Sequence, residues 1–312
     1  MTRTTRTRRV GQPSRHIGDG RMAEVLRTVD PLEYFRTHVR QGVRPDGRGL
    51  MRSRKPVLHR SPITSVDGSA MFRLGKTAVI AGVQCEPIPP QPGEGATVGD
   101  GPRGRIIVSL EVSAVSSPAA SSALSSGGGG AGRLEREKAV LVELLQRTAS
   151  GGMVDLSSLI VVEGYAVWSV CCDIVVLEDD GNLADVSMLA MMRALSRVRL
   201  PLVRQEESSG ELIVIEEAAI PIVVSAPLYP VTFGVLCDEI ILDPCAEEET
   251  LLATSFTLLL DDDGELVNLH KPGGAPLPAQ CLPACLEAAR VRLPVLKALA
   301  LEQGCTQGRD VA

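Results

Sequence analysis

The chain has 312 residues, of which 44% are hydrophobic and 3% aromatic, with 8 cysteines and a formal net charge of −6. At about 150 residues per domain, this length favours two domains or one large one with a substantial apolar core. No apolar run reaches the roughly 18 residues of a membrane-spanning helix, and the N-terminus lacks an apolar signal segment, so we expect a non-exported globular protein with reduced cysteines.

Charge is distributed unevenly along the chain. Residues 1–60 carry 15 basic and 5 acidic side chains, which leaves 17 basic and 33 acidic side chains for residues 61–312. This acidic body argues against a large cationic nucleic-acid groove built by this chain alone. The low aromatic content likewise leaves few platforms on which single-stranded bases could stack.

The first 28 residues are assigned to a disordered leader rich in arginine and threonine. Residues 1–21 contain six arginines and one acidic residue, Asp19, and too few apolar residues to order themselves. An organellar transit peptide and a nucleic-acid arm have the same composition, so both remain open. Met22 is a plausible alternative start of the chain.

Elements of a first domain, residues 29–203, follow the leader. Asp30 and Pro31 predict the cap and first turn of a helix, and residues 44–48 (Arg-Pro-Asp-Gly-Arg) predict a turn. The pair Gly75-Lys76 predicts a two-residue hairpin loop. The predicted strands are residues 57–60, 69–74, 77–83, 160–162 and 166–177, and the later predicted helices are residues 134–147 and 185–197.

A stretch rich in proline, glycine and serine, residues 87–132, interrupts this domain. We expect a flexible insertion there, in which only residues 105–112 have the pattern of a strand.

A second domain, residues 204–306, repeats the order of strands followed by a helix, and residues 307–312 form a tail. The predicted strands are residues 212–215, 222–225, 231–236, 239–242, 253–260 and 266–269. The predicted helix is 279–303, where Pro294 is expected to kink or split it. The pattern predicts an α+β protein of two packed subdomains, with mixed sheets and helices.

Acidic runs and cysteines do not predict a metal centre or a cofactor site. Residues 247–249 (Glu-Glu-Glu) and 261–265 lack the alternate ligand spacing of a calcium loop and are predicted to be solvated turns. The sequence has no Cys-x-x-Cys and no glycine motif for phosphates or dinucleotides. We expect no metal and no cofactor.

Asp180 and Asp185 are the candidate catalytic carboxylates. They flank a predicted turn between a strand and a helix, and two nearby carboxylates can bind magnesium or share a proton. Phosphoryl chemistry also needs cationic or backbone donors, whereas the turn offers only Asn182, Leu183 and Ala184. The favoured interpretation is therefore structural: Asp180 is a turn residue, and Asp185 lies at the N-terminus of the helix.

Arg133 and Arg136 are candidate RNA-binding residues. They lie between a glycine run and a predicted helix, where basic side chains could contact phosphates. Glu135, Glu137 and Glu143 weaken that positive charge, so a solvated helix start is the alternative.

Several segments resemble the RNase PH-like subunits of the RNA exosome over roughly residues 29–303. The opening motif at residues 44–48, the hairpin at 67–83 and the turn at 179–185 resemble that family and its non-catalytic branch. Asp243-Pro244 and residues 270–274 (His-Lys-Pro-Gly-Gly) add a more specific likeness to a non-catalytic member. The resemblance implies an RNase PH-like fold.

The resemblance also implies a function. Active relatives place an aspartate before a Gly-Thr-Arg turn that holds phosphate; Asp180 falls on that aspartate, but Gly181 and Asn182 follow it. A non-catalytic structural subunit is implied, within a hetero-hexameric ring closed by S1/KH cap subunits and associated with a hydrolytic ribonuclease. RNA is expected to pass through the assembled channel, in the nucleus, nucleolus and cytoplasm, with no membrane involved.

Two other hypotheses remain open at this stage. One is an active phosphate-dependent 3′–5′ exoribonuclease that uses Asp180 and Asp185 with magnesium and borrows Arg133 or Arg136 for phosphate. The other is an organellar RNA-processing protein delivered by the leader.

Deleting residues 1–21 tests the assignment of the leader. Because the resemblance begins near residue 29, we expect the truncated chain to co-purify with the same partners, in the same ratio, as the full-length chain. Loss of those partners on truncation contradicts a dispensable leader.

Overall fold

A computed structural model of the chain describes residues 24–60, 62–89, 104–113, 116, 129–162, 164–205 and 212–301. The chain divides after Leu50 into two compact units, which are described separately. None of the helices within the described ranges is both long and apolar enough to cross a membrane.

The first unit contains helix α1, Pro31–Val39. The Asp30 side chain accepts the Glu33 N–H at 3.1 Å, and proline occupies the first turn, as predicted. Phe35 and Val39 are buried on one face of this helix.

A short helical segment, residues 24–29, precedes α1. The prediction of a disordered leader up to residue 28 is therefore wrong for residues 24–28, and residues 1–23 lie outside the described part. The Thr28 hydroxyl donates to the Glu24 carbonyl at 3.0 Å, which adds a local hydrogen bond to this segment.

The second unit, from Met51, is built around a six-stranded mixed sheet. Strands β1, β2, β3, β6 and β4 lie side by side in that order, and β5 pairs with β6. Only the β4–β6 pair is parallel among these pairings. The strands are β1 Pro56–Arg60, β2 Gly68–Leu74, β3 Thr77–Ile88, β4 Arg105–Val112, β5 Ile160–Val162 and β6 Ala166–Glu178.

The predicted hairpin between β2 and β3 is confirmed. Leu74 pairs with Thr77, so Gly75 and Lys76 form the two-residue loop, and Gly75 has a φ of +62°. A positive φ at the first loop residue is the reason that the hairpin needs glycine there.

The second unit also contains a second sheet and a central helix. The sheet is antiparallel, in the order β10, β9, β11, β12. Its strands are β9 Tyr229–Leu236, β10 Glu239–Leu242, β11 Thr254–Leu260 and β12 Leu266–His270. Helix α3, Leu183–Leu195, contacts β2 and β3 of the first sheet and β9 of the second, so it is buried on nearly all sides.

Three further helices pack around this arrangement. They are α2 Gly129–Thr148, α4 Ala246–Glu249 and α5 Leu282–Leu301. Helix α2 contacts β4, whereas α5 contacts β9, β11 and α3.

The predicted insertion at residues 87–132 is partly wrong. Residues 105–112 form β4 as predicted, but β3 continues through Pro87 to Ile88, and α2 already begins at Gly129. Proline is tolerated at position 87 because β3 pairs there with β6 alone, so its other edge needs no N–H donor. Residues 90–103 and 117–128 lie outside the described part.

The region after α3 also differs from the prediction. Residues 199–205 form a strand, β7 Arg199–Gln205, which pairs with β8 Leu212–Pro221 in a separate two-stranded sheet. This strand was not predicted because it contains Pro201, and proline is excluded from central strands. A two-stranded ribbon accepts proline. The predicted strand 222–225 is reduced to a single bridge, Val154 to Val224. The predicted domain boundary after residue 203 lies inside β7.

Pro294 does not split the last helix, contrary to one of the two predicted outcomes. Helix α5 continues across it. Pro294 is exposed, while the buried Leu293 and Leu296 on either side of it anchor the helix in the core.

Truncating a core aromatic residue tests the packing of the second sheet. Phe256 stacks on Phe233 with 5.5 Å between ring centroids, and both side chains are buried. We expect Phe256→Ala to lower the free energy of unfolding by about 3–5 kcal/mol in urea denaturation. Val267→Ala is the control, because Val267 is 55% exposed and should change it by less than about 0.5 kcal/mol. Equal effects contradict the described core.

Candidate functional site at the Asp180 turn

The turn between β6 and α3 holds the first candidate carboxylate. Gly181 has a φ of +81°, and Asn182 is left-handed with a φ of 59°. A Cβ atom on Gly181 would lie 2.6 Å from the Ala246 nitrogen, because the turn passes directly against the segment before α4. The Ala246 N–H also donates to the Asp180 carbonyl at 3.0 Å. Only glycine therefore fits at position 181.

Arg54 is the cation of this site, and its N–H groups donate hydrogen bonds to oxygen atoms of the protein. Its Nη1 donates to the Asp180 carbonyl at 2.7 Å and to Thr77 Oγ1 at 3.2 Å. Its Nη2 donates to Asp243 Oδ1 at 2.8 Å and to the Gly181 carbonyl at 3.1 Å. The Nε and backbone N–H groups both donate to Asp243 Oδ2, at 3.1 and 2.7 Å. Every nitrogen of this guanidinium thus has an acceptor.

Asp243 connects Arg54 to a second buried carboxylate. The Asn182 Nδ2 group donates to Asp243 Oδ1 at 2.7 Å and to Asp185 Oδ2 at 3.0 Å. Asp185 Oδ1 accepts the Thr232 hydroxyl at 2.7 Å. A continuous polar network therefore runs from the β6–α3 turn into the second sheet.

The charges of this network shift the pKa values of its members in opposite directions. Burial alone would raise the pKa of the Asp243 carboxyl, but the adjacent Arg54 guanidinium outweighs burial and holds that pKa below its usual value. Burial raises the pKa of the Asp185 carboxyl, against the opposing charge of Arg292, whose Nη1 lies 3.8 Å from Asp185 Oδ2. Burial alone would lower the pKa of Arg54, but Asp243 outweighs burial and raises it.

The two candidate catalytic carboxylates have different surroundings. The Asp180 side chain is 31% exposed, and its Oδ2 lies 3.5 Å from Arg54 Nη1. Asp185 is fully buried and directed toward Asn182 and Thr232. The described partners of the Asp185 carboxylate therefore lie inside the protein. In the part of the chain that the structure describes, no group of three or more His, Cys, Asp or Glu side chains could hold a metal ion.

Two glutamates of the 247–249 run belong to the site, which corrects the prediction of a solvated turn. Glu248 is buried, and its Oε2 accepts the Cys245 N–H at 2.8 Å. Glu249 Oε1 accepts the Asn182 N–H at 2.7 Å. The capping pattern of a glutamate three residues after Cys245 was the available sequence signal, but cysteine is not a usual cap residue.

Acidic side chains surround the turn. The Glu249 carboxyl interacts electrostatically with Asp179 and Glu137, and Asp180 lies in the same turn as Asp179. Burial, and with it the charge of Asp179, raises the pKa of the Glu249 carboxyl to about 7, so Glu249 is only partly charged at neutral pH. Arg54 is already paired with Asp243, and Asp179 and Asp180 carry the negative charge at the surface of this turn. Such a surface repels phosphate groups.

Of the two predicted RNA-binding arginines, Arg136 has a described side chain, and it takes no part in this network. Arg136 is exposed on α2, and Arg133 lies on the same helix, where its side chain is outside the described part. Arg54, Thr77 and Asp243 carry the site instead, and none of them was predicted from sequence as a functional residue.

Two family patterns match the chain. The 3′ exoribonuclease family, domain 1, matches residues 52–201, and domain 2 of the same family matches residues 226–292. Exosome complex component rrp43 of Schizosaccharomyces pombe is 28% identical over 269 residues, which are 85% of this chain and 93% of that protein. Exosome complex component Rrp42 of Aeropyrum pernix is 34% identical over 243 residues, 77% of this chain and 82% of that protein.

Solved structures of exosomes are also similar to this chain. A chain of an archaeal exosome core is 27% identical with a TM-score of 0.67, covering 91% of this chain and 99% of that one. A chain of the Archaeoglobus fulgidus exosome with RNA bound to the active site is 29% identical with a TM-score of 0.67. The match covers 88% of this chain and 98% of that one. These matches confirm the predicted α+β fold of the RNase PH type.

Replacing Arg54 tests whether the network stabilises the fold. Arg54→Met leaves Asp243 buried and unpaired, so we expect a loss of about 3–5 kcal/mol in urea denaturation. The matched control is Arg73→Met, because the Arg73–Glu178 pair is 43% and 49% exposed and should contribute less than about 1 kcal/mol. A similar loss in both variants argues against a special role for Arg54.

Replacing Asp243 tests the sign of its pKa shift. A carboxyl with a lowered pKa in the folded state stabilises the fold above the unfolded pKa of about 4, and that stabilisation is lost as the pH falls through the folded pKa. We expect Asp243→Asn to be less stable than the unmodified chain at pH 7, with the difference shrinking on acidification. A difference that grows toward low pH contradicts the Arg54 pairing.

Proposed function

The chain belongs to the 3′ exoribonuclease family, and we propose that it is a non-catalytic structural subunit of an RNA exosome ring. The proposal rests on the hydrogen bonds of Arg54, the cation beside Asp180. Its guanidinium already donates to Asp243 and to two backbone carbonyls, so its donors are not available to a substrate phosphate.

Ring membership is supported by the relatives. The similar proteins of Schizosaccharomyces pombe and Aeropyrum pernix are exosome complex components, and the similar solved structures are exosome cores. The matches cover most of both chains, so both family domains are retained here. Proteins of this kind bury complementary surfaces against neighbouring subunits when they form closed rings.

The lack of catalysis follows from the chemistry of phosphorolysis. A phosphate that attacks RNA must be held by cationic or backbone donors beside the scissile bond. At the Asp180 turn the donors of Arg54 already bind protein oxygens, Asp185 is buried, and Asp179 adds a second carboxylate. The position of a Gly-Thr-Arg turn in active relatives is occupied here by Gly181, Asn182 and Leu183.

The partners proposed for this subunit are other RNase PH-like subunits in a hetero-hexameric ring, S1/KH cap subunits and a hydrolytic ribonuclease. RNA contacts arise from the assembled channel, which agrees with an acidic body and few aromatic residues in this chain. We propose that the complex processes and degrades RNA from the 3′ end in the nucleus, the nucleolus and the cytoplasm.

An RNA degradation assay on the assembled complex tests the absence of catalysis. Asp180→Ala removes the partly exposed candidate carboxylate, and we expect it to leave the degradation rate unchanged with or without inorganic phosphate. The readout is nucleoside diphosphate release from end-labelled RNA, with Asp263→Ala, in an exposed hairpin turn, as the matched control. Phosphate-dependent release that disappears only in Asp180→Ala overturns the proposal in favour of an active phosphorolytic enzyme.

A further inference from the structure

A pocket lies between the loop before β2 and the end of α3. Its volume is about 410 Å³, within the range of about 300–1,000 Å³ that is typical of small-molecule sites. The loop contributes Ile63, Thr64, Val66 and Asp67 to the lining, and Arg197 lines the side of α3. All of these residues belong to the second unit, and none of them takes part in the polar network of the Asp180 turn.

Close contacts fix the frame of this pocket. Ser69 Oγ accepts the Ile63 N–H at 3.1 Å and donates to the Ile63 carbonyl at 2.8 Å, which ties the loop to β2. A Cβ atom on Gly68 would lie 2.5 Å from the Ala194 carbonyl oxygen, so β2 passes directly against the end of α3. The pocket is therefore formed before a ligand binds, and a preformed site lowers the entropic cost of binding.

One wall of the pocket is aliphatic. Ile63 and Val66 are half-buried, and a Cβ atom on Gly82 of β3 would lie 3.8 Å from each of their side chains. The two side chains therefore rest on β3 in defined positions. An aliphatic wall of this kind can contact the face of a planar ring, as the apolar lining of ligand sites commonly does.

Two opposite charges line the pocket, and they form no ion pair with each other or with another described side chain. The Asp67 carboxylate is oriented by the Cys85 N–H, which donates to its Oδ2 at 2.8 Å. The backbone N–H of Arg197 donates to the Ala194 carbonyl at 3.1 Å, whereas its guanidinium is exposed and has no hydrogen bond within the described residues. A ligand between the two must offer donors to Asp67 and acceptors to Arg197.

Guanine meets these requirements. Its O6 and N7 atoms are adjacent acceptors that bind a guanidinium in a bidentate manner, and its N1–H and N2 amino groups are adjacent donors for a carboxylate. A phosphate group is repelled by Asp67, and an ammonium group is repelled by Arg197. Adenine lacks both the O6 acceptor and the N2 amino donor, so it leaves each charged group with fewer hydrogen bonds than guanine does.

We propose that this pocket binds a guanine base, held between Asp67 and Arg197 with one face of the ring against the aliphatic wall. A free guanine nucleotide and a guanine in single-stranded RNA present the same base, so both are sources of this ligand. The inference is independent of the proposed scaffold function, because it involves neither Asp180 nor Arg54 and requires no ring.

Isothermal titration calorimetry with GMP and AMP tests the proposal on the purified full-length protein. We expect GMP to bind about tenfold more tightly than AMP. Arg197→Ala should weaken GMP binding about tenfold, because the bidentate contact is lost, whereas Arg147→Ala, whose side chain is 78% exposed on α2, should leave it unchanged. Absence of saturable GMP binding, equal affinities for GMP and AMP, or equal effects of the two variants overturns the proposal.

Replacing Asp67 tests which edge of the base is recognised. In Asp67→Asn the side-chain carbonyl can still accept the Cys85 N–H, but an amide donor takes the place of the other carboxylate oxygen. Xanthine carries a carbonyl oxygen where guanine has its N2 amino group. We therefore expect the unmodified protein to prefer GMP over XMP and Asp67→Asn to prefer XMP over GMP. An unchanged preference for GMP overturns the proposal, and if the variant binds neither nucleotide the result for Arg197→Ala decides.

Fluorescence anisotropy then separates the two sources of the base. The probes are a labelled octaadenylate and its twin with a guanine at the 3′ end. Tighter binding of the twin, with displacement by GMP, identifies single-stranded RNA as the source, whereas GMP binding without a preference for the twin identifies a free nucleotide. A preference for the twin that GMP does not displace overturns the proposed pocket. None of these results affects the test of Asp180, so the two proposals fail separately.

Discussion

The buried ion pair between Arg54 and Asp243 determines the geometry of the rest of the site. Arg54 lies just before the edge strand of the first sheet, and Asp243 directly follows a strand of the second. Through its other donors, Arg54 also binds the carbonyls of the β6–α3 turn. Breaking a buried pair leaves an uncompensated charge, which is far more costly than the net gain from forming the pair. Arg54 therefore links the two sheets and the turn, in addition to the packing of α3 against both sheets.

The same pair explains the chemical character of the site. The guanidinium beside Asp180 belongs to Arg54, and its donors already bind the Asp243 carboxylate. Asp243 thus occupies the position that a bound phosphate would need. Asp185 is likewise an internal partner, because it is held by Asn182 and Thr232 inside the protein. The charged groups of this site are therefore held by partners inside the protein.

Much of the fold and the turn that holds Asp180 and Asp185 could be predicted from local signals, but the partners of these carboxylates could not. The cap at Asp30 and the hairpin at Gly75 depend on neighbouring residues, so short motifs reveal them. Arg54 and Asp243 are 189 residues apart, and no periodicity or spacing links residues at that distance. The buried Glu248 was predicted to be solvated for the same reason: a run of glutamates indicates a surface unless the tertiary partner is known.

Titration of inorganic phosphate into the purified chain, followed by ³¹P nuclear magnetic resonance, tests the central claim most directly. The account predicts no saturable change in the phosphate signal, because Arg54 is occupied by Asp243 and the surrounding surface is acidic. Saturable binding with a Kd near or below about 1 mM, a typical substrate affinity, contradicts it.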